Sequence, residues 1–169
     1  MTSDVKANIR RVVTRGVASG ETIRDTARAI RQVIPLHPRQ MDALLSHAGE
    51  LQDAGVEGDA LQAQVDSYSG QLFRQRAELI ARTETIRAIS AGQHEMWRQA
   101  DSRGVIEGAV RIWIVAPDEK LCPICREIPR MNPGGVGLGE PFRSPVGDVM
   151  FPPDPHPRCR CTIGLEFPE

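Results

Sequence analysis

The sequence lacks long apolar segments and a secretory pattern at its start. No run approaches the roughly 20 apolar residues that a membrane-spanning helix needs. The first residues, Met-Thr-Ser-Asp-Val-Lys, contain no apolar signal core. We therefore expect no membrane association and a cytoplasmic, reducing environment, in which disulfides are uncommon. If the protein were exported, its four cysteines would allow three disulfide pairings.

Aromatic residues and net charge are also scarce. Aromatics make up 4% of the 169 residues, so the core must consist mainly of Val, Ile, Leu and Ala. A net charge of −1 provides no general attraction to nucleic acid or to an anionic membrane. Arg greatly outnumbers Lys, which leaves room for local basic faces. The apolar and charged fractions, 40% and 25%, are typical of a soluble globular protein.

Apolar residues recur at spacings of three and four over most of residues 1–104, which predicts a helical portion. On the second helix the opposite face carries Arg24, Arg28 and Arg31. Gly70 weakens the last helix by about 1 kcal/mol relative to Ala. We predict four helices: from Ser3 or Asp4 to a break at Gly16 and Gly20, from Glu21 to Ile34, from Pro38 to Gly55, and a long one from Asp59 to about Ala100.

The character of the sequence changes after residue 104. Residues 110–115 are β-branched and aromatic and predict a strand, and further short strands are expected over 146–151 and 162–165. Four glycines and a proline make residues 132–139 a loop. The predicted fold class is α+β: a helical portion over 1–104, then a small β-rich, loop-rich module over 105–169. The few apolar residues of this module can bury little surface. We therefore expect a cross-link to stabilise it.

All four cysteines and a histidine lie in that module: Cys122, Cys125, His156, Cys159 and Cys161. Two thiolates separated by two residues can hold one tetrahedral ion, and structural zinc takes four such ligands. We predict a zinc site made by Cys122, Cys125 and His156 with either Cys159 or Cys161. Five candidate donors for four ligand positions leave one spare, so Cys159 and Cys161 are not expected to be equivalent.

The cysteines allow two other interpretations. A single cysteine is often a small buried hydrophobic residue, but two clusters in a loop-rich module favour a metal. A Cys-x-x-Cys redox pair would sit in a βαβ pattern, which is not seen here, and would leave the second cluster unexplained. The four prolines at 152, 153, 155 and 157 fix φ, so we expect a rigid, extended approach to His156.

Several motifs resemble the phage Mu F-like head morphogenesis (minor head protein) family. They are Ala81-Arg82-Thr83-Glu84 on the long helix, Trp113 on a strand, Asp118 four residues before Cys122-Pro-Ile-Cys125, and the ending Pro-Pro-x-x-His-Pro-x-Cys-Arg-Cys. The usual form has one residue between Pro-Pro and His, whereas Asp154 and Pro155 stand there in this chain. The resemblance covers about residues 16–165. The region before it looks short, as in a truncated member or the C-terminal piece of a longer one.

The resemblance implies a tailed-phage or prophage virion protein that acts in head assembly near the portal. It implies portal and capsid proteins as partners, with packaged DNA as a further candidate, and it places the protein in the host cytoplasm during assembly and then in the virion head. It also implies that the Cys/His cluster is the metal site. Arg82, Glu84, Trp113 and Asp118 are recurring positions without an assigned role.

Helix geometry constrains two of these motif positions, Arg82 and Glu84. Arg82 and Glu84 point in nearly opposite directions on a helix, so each needs its own partner. Glu84 is expected to pair with Arg87 or Arg76, or to reach the small module. If it formed a buried ion pair with that module, removing one partner would cost roughly 3–5 kcal/mol of folding stability. The alternative is that Arg82 and Glu84 are two solvated charges on the helix surface.

Enzymatic alternatives find less support in the sequence. No phosphate-binding loop, nucleophile elbow or HExxH motif is present. A zinc hydrolase or HNH-like nuclease would need an open ligand position and a carboxylate, for which Asp118, Asp148 and Asp154 are candidates. A zinc-knuckle nucleic-acid binder is a third hypothesis, but acidic residues outnumber basic ones from Asp118 onward. We expect a structural protein with no catalytic residues.

Overall fold

A computed structural model describes residues 3–168. The chain forms two compact units, Met1–Arg82 and Thr83–Glu169. The division into a helical portion over 1–104 and a β-rich module over 105–169 remains a prediction. Residues 1, 2 and 169, at the ends of these portions, lie outside the described residues. Each unit is described separately below.

The four predicted helices are present. They are α1 (Ser3–Ala18), α2 (Ile23–Arg31), α3 (Pro38–Asp53) and α4 (Gly58–Asp101), the last of which extends from the first unit into the second. The Thr22 side chain caps α2, and His37 and Gln40 form a capping box before α3. Pro38 occupies the first turn of α3, as predicted. Within residues 3–168 no helix is long and apolar enough to cross a membrane.

Gly16 does not end α1, contrary to the prediction. The helix continues through it to Ala18, and Gly16 is buried. A Cβ at this position would lie 2.7 Å from Thr26 Oγ1 on α2. Gly16 therefore permits a close approach of α1 and α2, and its low helix propensity is outweighed by this packing. The chain turns at Gly20, whose φ of +66° suits glycine.

The second unit contains a two-stranded antiparallel sheet and one further helix. β1 (Val110–Ile114) pairs with β2 (Thr162–Glu166), and Trp113 lies opposite Ile163. The fold class α+β is thus confirmed. The strand predicted over 146–151 is wrong: in the described chain this segment makes only an isolated bridge, Phe142 to Val149. The helix α5 (Pro123–Met131) was not predicted.

The core of this second unit surrounds the cysteines. Cys125, Cys159 and Cys161 belong to the same buried cluster as two tryptophans, and Trp113 packs edge-on against Phe142 with ring centroids 5.4 Å apart. The remaining fully or largely buried members of the cluster are Trp97, Ile128, Leu138, Val149 and Ile163. The cysteines are therefore part of the folded interior of the module.

Arg111 is a charged residue at the centre of this unit, with 0% of its surface exposed. Its guanidinium donates to the backbone carbonyls of Met150 (2.7 Å), Gly137 (3.4 Å) and Glu140, and it lies 5.1 Å from the centre of the Phe142 ring. Three carbonyl dipoles from the long loop thus surround one buried cation. Arg111 fixes the loop over residues 137–150 to β1.

Candidate metal centre

The first arm of the Cys/His cluster lies at the start of α5. Cys122 is the N-cap of this helix, and its Sγ accepts a hydrogen bond from the Cys125 backbone N–H at 3.3 Å. Pro123 occupies the first helical position, where its missing N–H costs nothing. The two-residue spacing therefore brings both thiols to one helix N-terminus, rather than to an isolated tight turn.

The second arm is a series of turns rather than the predicted extended approach. The Asp154 backbone N–H donates to the Phe151 carbonyl at 3.0 Å, and the His156 N–H donates to the Pro153 carbonyl at 3.2 Å. The Asp154 carboxylate accepts from the backbone N–H groups of Met150 and Phe151 at 3.2 and 3.3 Å. The prediction of an extended segment is wrong because prolines fix φ but leave ψ free to form turns.

The His156 ring is oriented by a contact that leaves one nitrogen directed at the thiols. Its Nδ1 lies 2.7 Å from the Pro157 carbonyl, to which it donates as Nδ1–H. Its Nε2 lies 3.0 Å from Cys122 Sγ and 3.1 Å from Cys125 Sγ. Metal-bound histidines characteristically donate their second nitrogen to a carbonyl or carboxylate in this way. The geometry therefore leaves Nε2 free to bind a cation.

The five predicted donors form two overlapping groups that share Cys125. Cys122, Cys125 and His156 make one group, and Cys125, Cys159 and Cys161 make the other, with all ligand atoms in a group within 4.8 Å of one another. The Sγ atoms of Cys125 and Cys159 are 3.7 Å apart. All four cysteines are free thiols. The structure thus brings together every residue predicted for the site.

A small cavity distinguishes Cys161 from Cys159. Its volume is about 20 Å³, and the donors that line it are Cys122, Cys125, His156 and Cys161. Cys159 does not line it. A space of this size holds about one water molecule or one ion. Arg158 adopts a left-handed conformation (φ +62°), which interrupts any regular strand before the last two cysteines.

The thiols differ in acidity. The Cys159 side chain, as a hydrogen-bond donor, lowers the pKa of Cys161 to about 5, and the backbone N–H of Ala116 and the Cys125 thiol act in the same direction. Hydrogen bonding to Cys161 and burial raise the pKa of Cys159, while burial, together with the neighbouring thiols, raises that of Cys125. Of these three thiols, Cys161 is the one for which the protein favours the thiolate. A bound dication would favour the thiolate form of the sulfurs that coordinate it.

The Trp113 side chain bears on whether the cluster fits a metal ion. Its indole Nε1–H is buried and has no hydrogen-bond partner among the described residues. Its proximity nevertheless contributes to the lowered pKa of Cys161. A buried donor beside a sulfur is best satisfied when that sulfur is a thiolate. The orphaned donor and the soft Cys/His set both fit a metal-bound state of the cluster.

The other motif positions surround the cluster in different ways. Asp118 is exposed and forms a two-armed ion pair with Arg160, the residue between the last two cysteines. The Arg158 backbone N–H donates to Thr83 Oγ1 on α4 at 3.3 Å. Neither contact was predicted. The arginine at position 160 was a signal for the ion pair, whereas the Arg158 contact uses a backbone N–H, which residue type does not reveal.

Glu84 pairs with Arg87 on the same helix at 3.8 Å, one of the two partners predicted for it. Arg87 in turn lies 3.9 Å from Asp154, which is in the turn before His156. Both pairs are partly exposed, so they match the solvated alternative more closely than a buried clamp. Arg82 is exposed and forms no ion pair within residues 3–168.

The fold and this cluster define a class: a helical protein that carries a small module with a Cys/His group able to bind a metal ion. The sequence matches the family described as "Phage Mu protein F like protein" over residues 7–164. The chain therefore belongs to the phage Mu F-like family, and it is a phage head-related protein. Comparisons with the curated proteins and with the solved structures found no match.

Proposed function

We propose that this protein is a minor head protein that acts in phage or prophage head morphogenesis near the portal, with a structural zinc module. The observation that carries the zinc assignment is the cavity of about 20 Å³ lined by three thiols and an imidazole. The membership of the phage Mu F-like family supports the head assignment. Portal and capsid proteins are the proposed partners, and the virion head is the proposed final location.

The zinc ligands that we propose are Cys122, Cys125, His156 and Cys161. These four donors share the cavity, and the pKa of Cys161 is lowered, whereas that of Cys159, the alternative fourth ligand, is raised. Soft thiolates and one imidazole favour zinc over magnesium or calcium, which prefer oxygen ligands. Cys159 then acts as a buried neighbour, 3.7 Å from Cys125, that donates toward the ligand sulfurs. When bound, zinc supplies a cross-link between the start of α5 and the segment before β2.

The role that we propose for the site is structural rather than catalytic. Four protein donors complete a tetrahedral zinc shell and leave no position for water or substrate. The cavity is far smaller than the roughly 300–1,000 Å³ of typical ligand pockets. Asp118, the carboxylate that a hydrolase or nuclease would need, is engaged with Arg160 instead. These features favour the structural role over a zinc hydrolase, an HNH-like nuclease or a zinc-knuckle nucleic-acid binder.

Elemental analysis of the purified 169-residue chain tests the zinc module. We expect one zinc per chain, lost in Cys125→Ala, together with rapid proteolysis of the module in that variant. The matched control, Arg126→Ala, changes the next residue, which is exposed on α5, and should keep its metal. A metal-free chain whose module resists proteolysis, or metal-dependent cleavage of DNA by the wild type, would contradict the proposal.

Co-purification tests the head assignment separately. The tagged chain, expressed from an induced prophage, should bring down portal and capsid proteins that mass spectrometry identifies. A chain that folds and binds zinc but captures neither protein would contradict the head assignment and leave the zinc module standing. A chain that captures both proteins without zinc would do the reverse.

A further inference from the structure

A cleft in the first unit is lined mainly by arginines. It lies between α2 and α4 and has a volume of about 320 Å³. Arg24, Arg28 and Arg31 come from successive turns of α2, and Arg74 comes from α4. Ala27 and Ala77, which are 5% and 1% exposed, form the apolar floor. A single acidic residue, Glu78, completes the lining.

The charges of these arginines are largely uncompensated. Arg28 pairs with Asp25 at 3.1 Å, but Arg24, Arg31 and Arg74 form no ion pair within residues 3–168. Glu78 likewise makes no ion pair with them in the described chain. The cleft therefore concentrates positive charge in a protein whose net charge is −1. Such local concentration attracts anions even when the whole molecule does not.

Two of the guanidinium groups lie close to Gly70 of α4. A Cβ built on Gly70 would lie 3.4 Å from Arg74 Nη1 and 3.9 Å from Arg31 Nη2. The two nitrogens can be no farther apart than the sum of these distances, although their charges repel. An oxyanion between them would accept hydrogen bonds from both and relieve the repulsion. Gly70 places no side chain between the two guanidinium groups and α4.

We propose that this cleft binds a phosphate group. Phosphate carries more charge and more acceptor oxygens than a carboxylate, and Arg is the residue best suited to recognise it through paired N–H donors. The volume is at the lower end of that of small-ligand pockets, which suits a phosphate with an attached sugar or a backbone segment. The phosphate comes from either a nucleic-acid backbone or a free phosphate compound. The site is independent of the zinc module.

Calorimetric titration of the full 169-residue chain tests this site, with inorganic phosphate, pyrophosphate and a short DNA duplex as separate probes at one salt concentration. We expect at least one probe to bind, and Arg31→Gln/Arg74→Gln to weaken that binding by about tenfold or more for each lost charge-assisted contact. The matched control, Arg10→Gln/Arg11→Gln, removes two exposed arginines of α1 and should bind almost as the wild type does.

Glu78→Gln should change phosphate binding in the opposite direction. It removes the only carboxylate of the cleft lining and should tighten phosphate binding severalfold, which no loss of folding can imitate. Binding of phosphate or pyrophosphate identifies a free phosphate compound as the source, and binding of DNA alone identifies a nucleic-acid backbone. Absence of binding by the wild type to all three probes overturns the proposal. Equal weakening in the two double variants, or weaker binding by Glu78→Gln, overturns it as well.

Discussion

Asp118 and Arg160 are 42 positions apart, yet they form a two-armed ion pair that fixes the segment between Cys159 and Cys161. One arm joins Arg160 Nη2 to Asp118 Oδ1 at 2.5 Å. The same carboxylate accepts the Lys120 backbone N–H at 2.9 Å, just before Cys122. One exposed side chain thus contacts both segments that carry the proposed ligands.

This pair predicts a specific effect of Asp118→Asn on metal retention. Residues that orient metal ligands from outside typically change metal affinity by about 10-fold to 100-fold when they are lost. Because this pair is exposed and one step removed from the ligands, we expect about tenfold weaker zinc binding in a chelator competition. Asp148→Asn, an exposed carboxylate of the same module, is the control. Equal zinc affinity in the two variants would show that the pair does not position the site.

The last two cysteines should respond differently to substitution. Cys161→Ala removes a proposed ligand, so the chain should lose its zinc. Cys159→Ala removes a buried thiol that does not line the cavity, so one zinc per chain should remain, with some loss of stability. Elemental analysis of both purified variants measures this. Zinc retained by Cys161→Ala but lost from Cys159→Ala would assign the fourth ligand to Cys159.

Gly16 and Gly49 should give alanine variants with opposite effects on stability. Gly16→Ala places a Cβ 2.7 Å from Thr26 Oγ1, so we expect a loss of about 1–3 kcal/mol from overpacking. Gly49→Ala on α3 meets nothing within 4 Å and should gain up to about 1 kcal/mol from helix propensity. Denaturant unfolding measures both. Stabilisation by Gly16→Ala would contradict the close packing of α1 against α2.

Arg111→Met should destabilise the second unit strongly. The substitution removes charge-assisted hydrogen bonds to the Met150 and Glu140 carbonyls, each worth about 1.5–3 kcal/mol, whereas the Gly137 carbonyl still accepts the Glu140 backbone N–H. We expect a total loss of at least about 3 kcal/mol, measured as faster proteolysis and a lower denaturation midpoint. Arg126→Met, on the exposed face of α5, should have little effect. Lysine at 111 should fail to rescue, because it lacks the planar fork of donors.

His94 predicts a pH dependence of folding stability. Burial and the positive charges of Arg111 and Arg98 lower the pKa of His94, against a smaller opposing effect of Glu95. The unfolded chain therefore binds a proton more readily, and stability should fall as the pH drops below the ordinary histidine value of about 6.5. His94→Phe should show a shallower dependence than the wild type in thermal unfolding. Identical slopes would exclude His94 as the cause.

Much of the helical portion could be predicted from the sequence because its apolar spacing is regular. Pro38 and the long pattern from Asp59 locate α3 and α4 closely. The prediction that Gly16 breaks α1 was wrong because glycine is needed there for close contact with Thr26 on α2. Helix propensity carries no information about such a contact. The helix α5 was missed because it has nine residues and an internal proline, too little for a periodic pattern. Its burial of Cys125 and Ile128 depends on tertiary packing.

The donors of the metal site could be predicted, but not their arrangement. Cysteine and histidine spacing identifies the chemistry, since these side chains bind zinc wherever they meet. Which of Cys159 and Cys161 faces the cavity depends on the backbone around Arg158, whose left-handed conformation no spacing rule anticipates. The arginine cleft shows the same limit. Three of its arginines follow the α2 spacing, whereas Arg74 joins them only in the folded chain.

The Cys122 sulfur both caps α5 and belongs to the proposed zinc shell. A nine-residue helix with an internal proline is too short to persist alone in water. We therefore expect metal occupancy and formation of α5 to be coupled. Removal of zinc should appear in circular dichroism as a loss of helical signal from a segment that contains only two of the ligands.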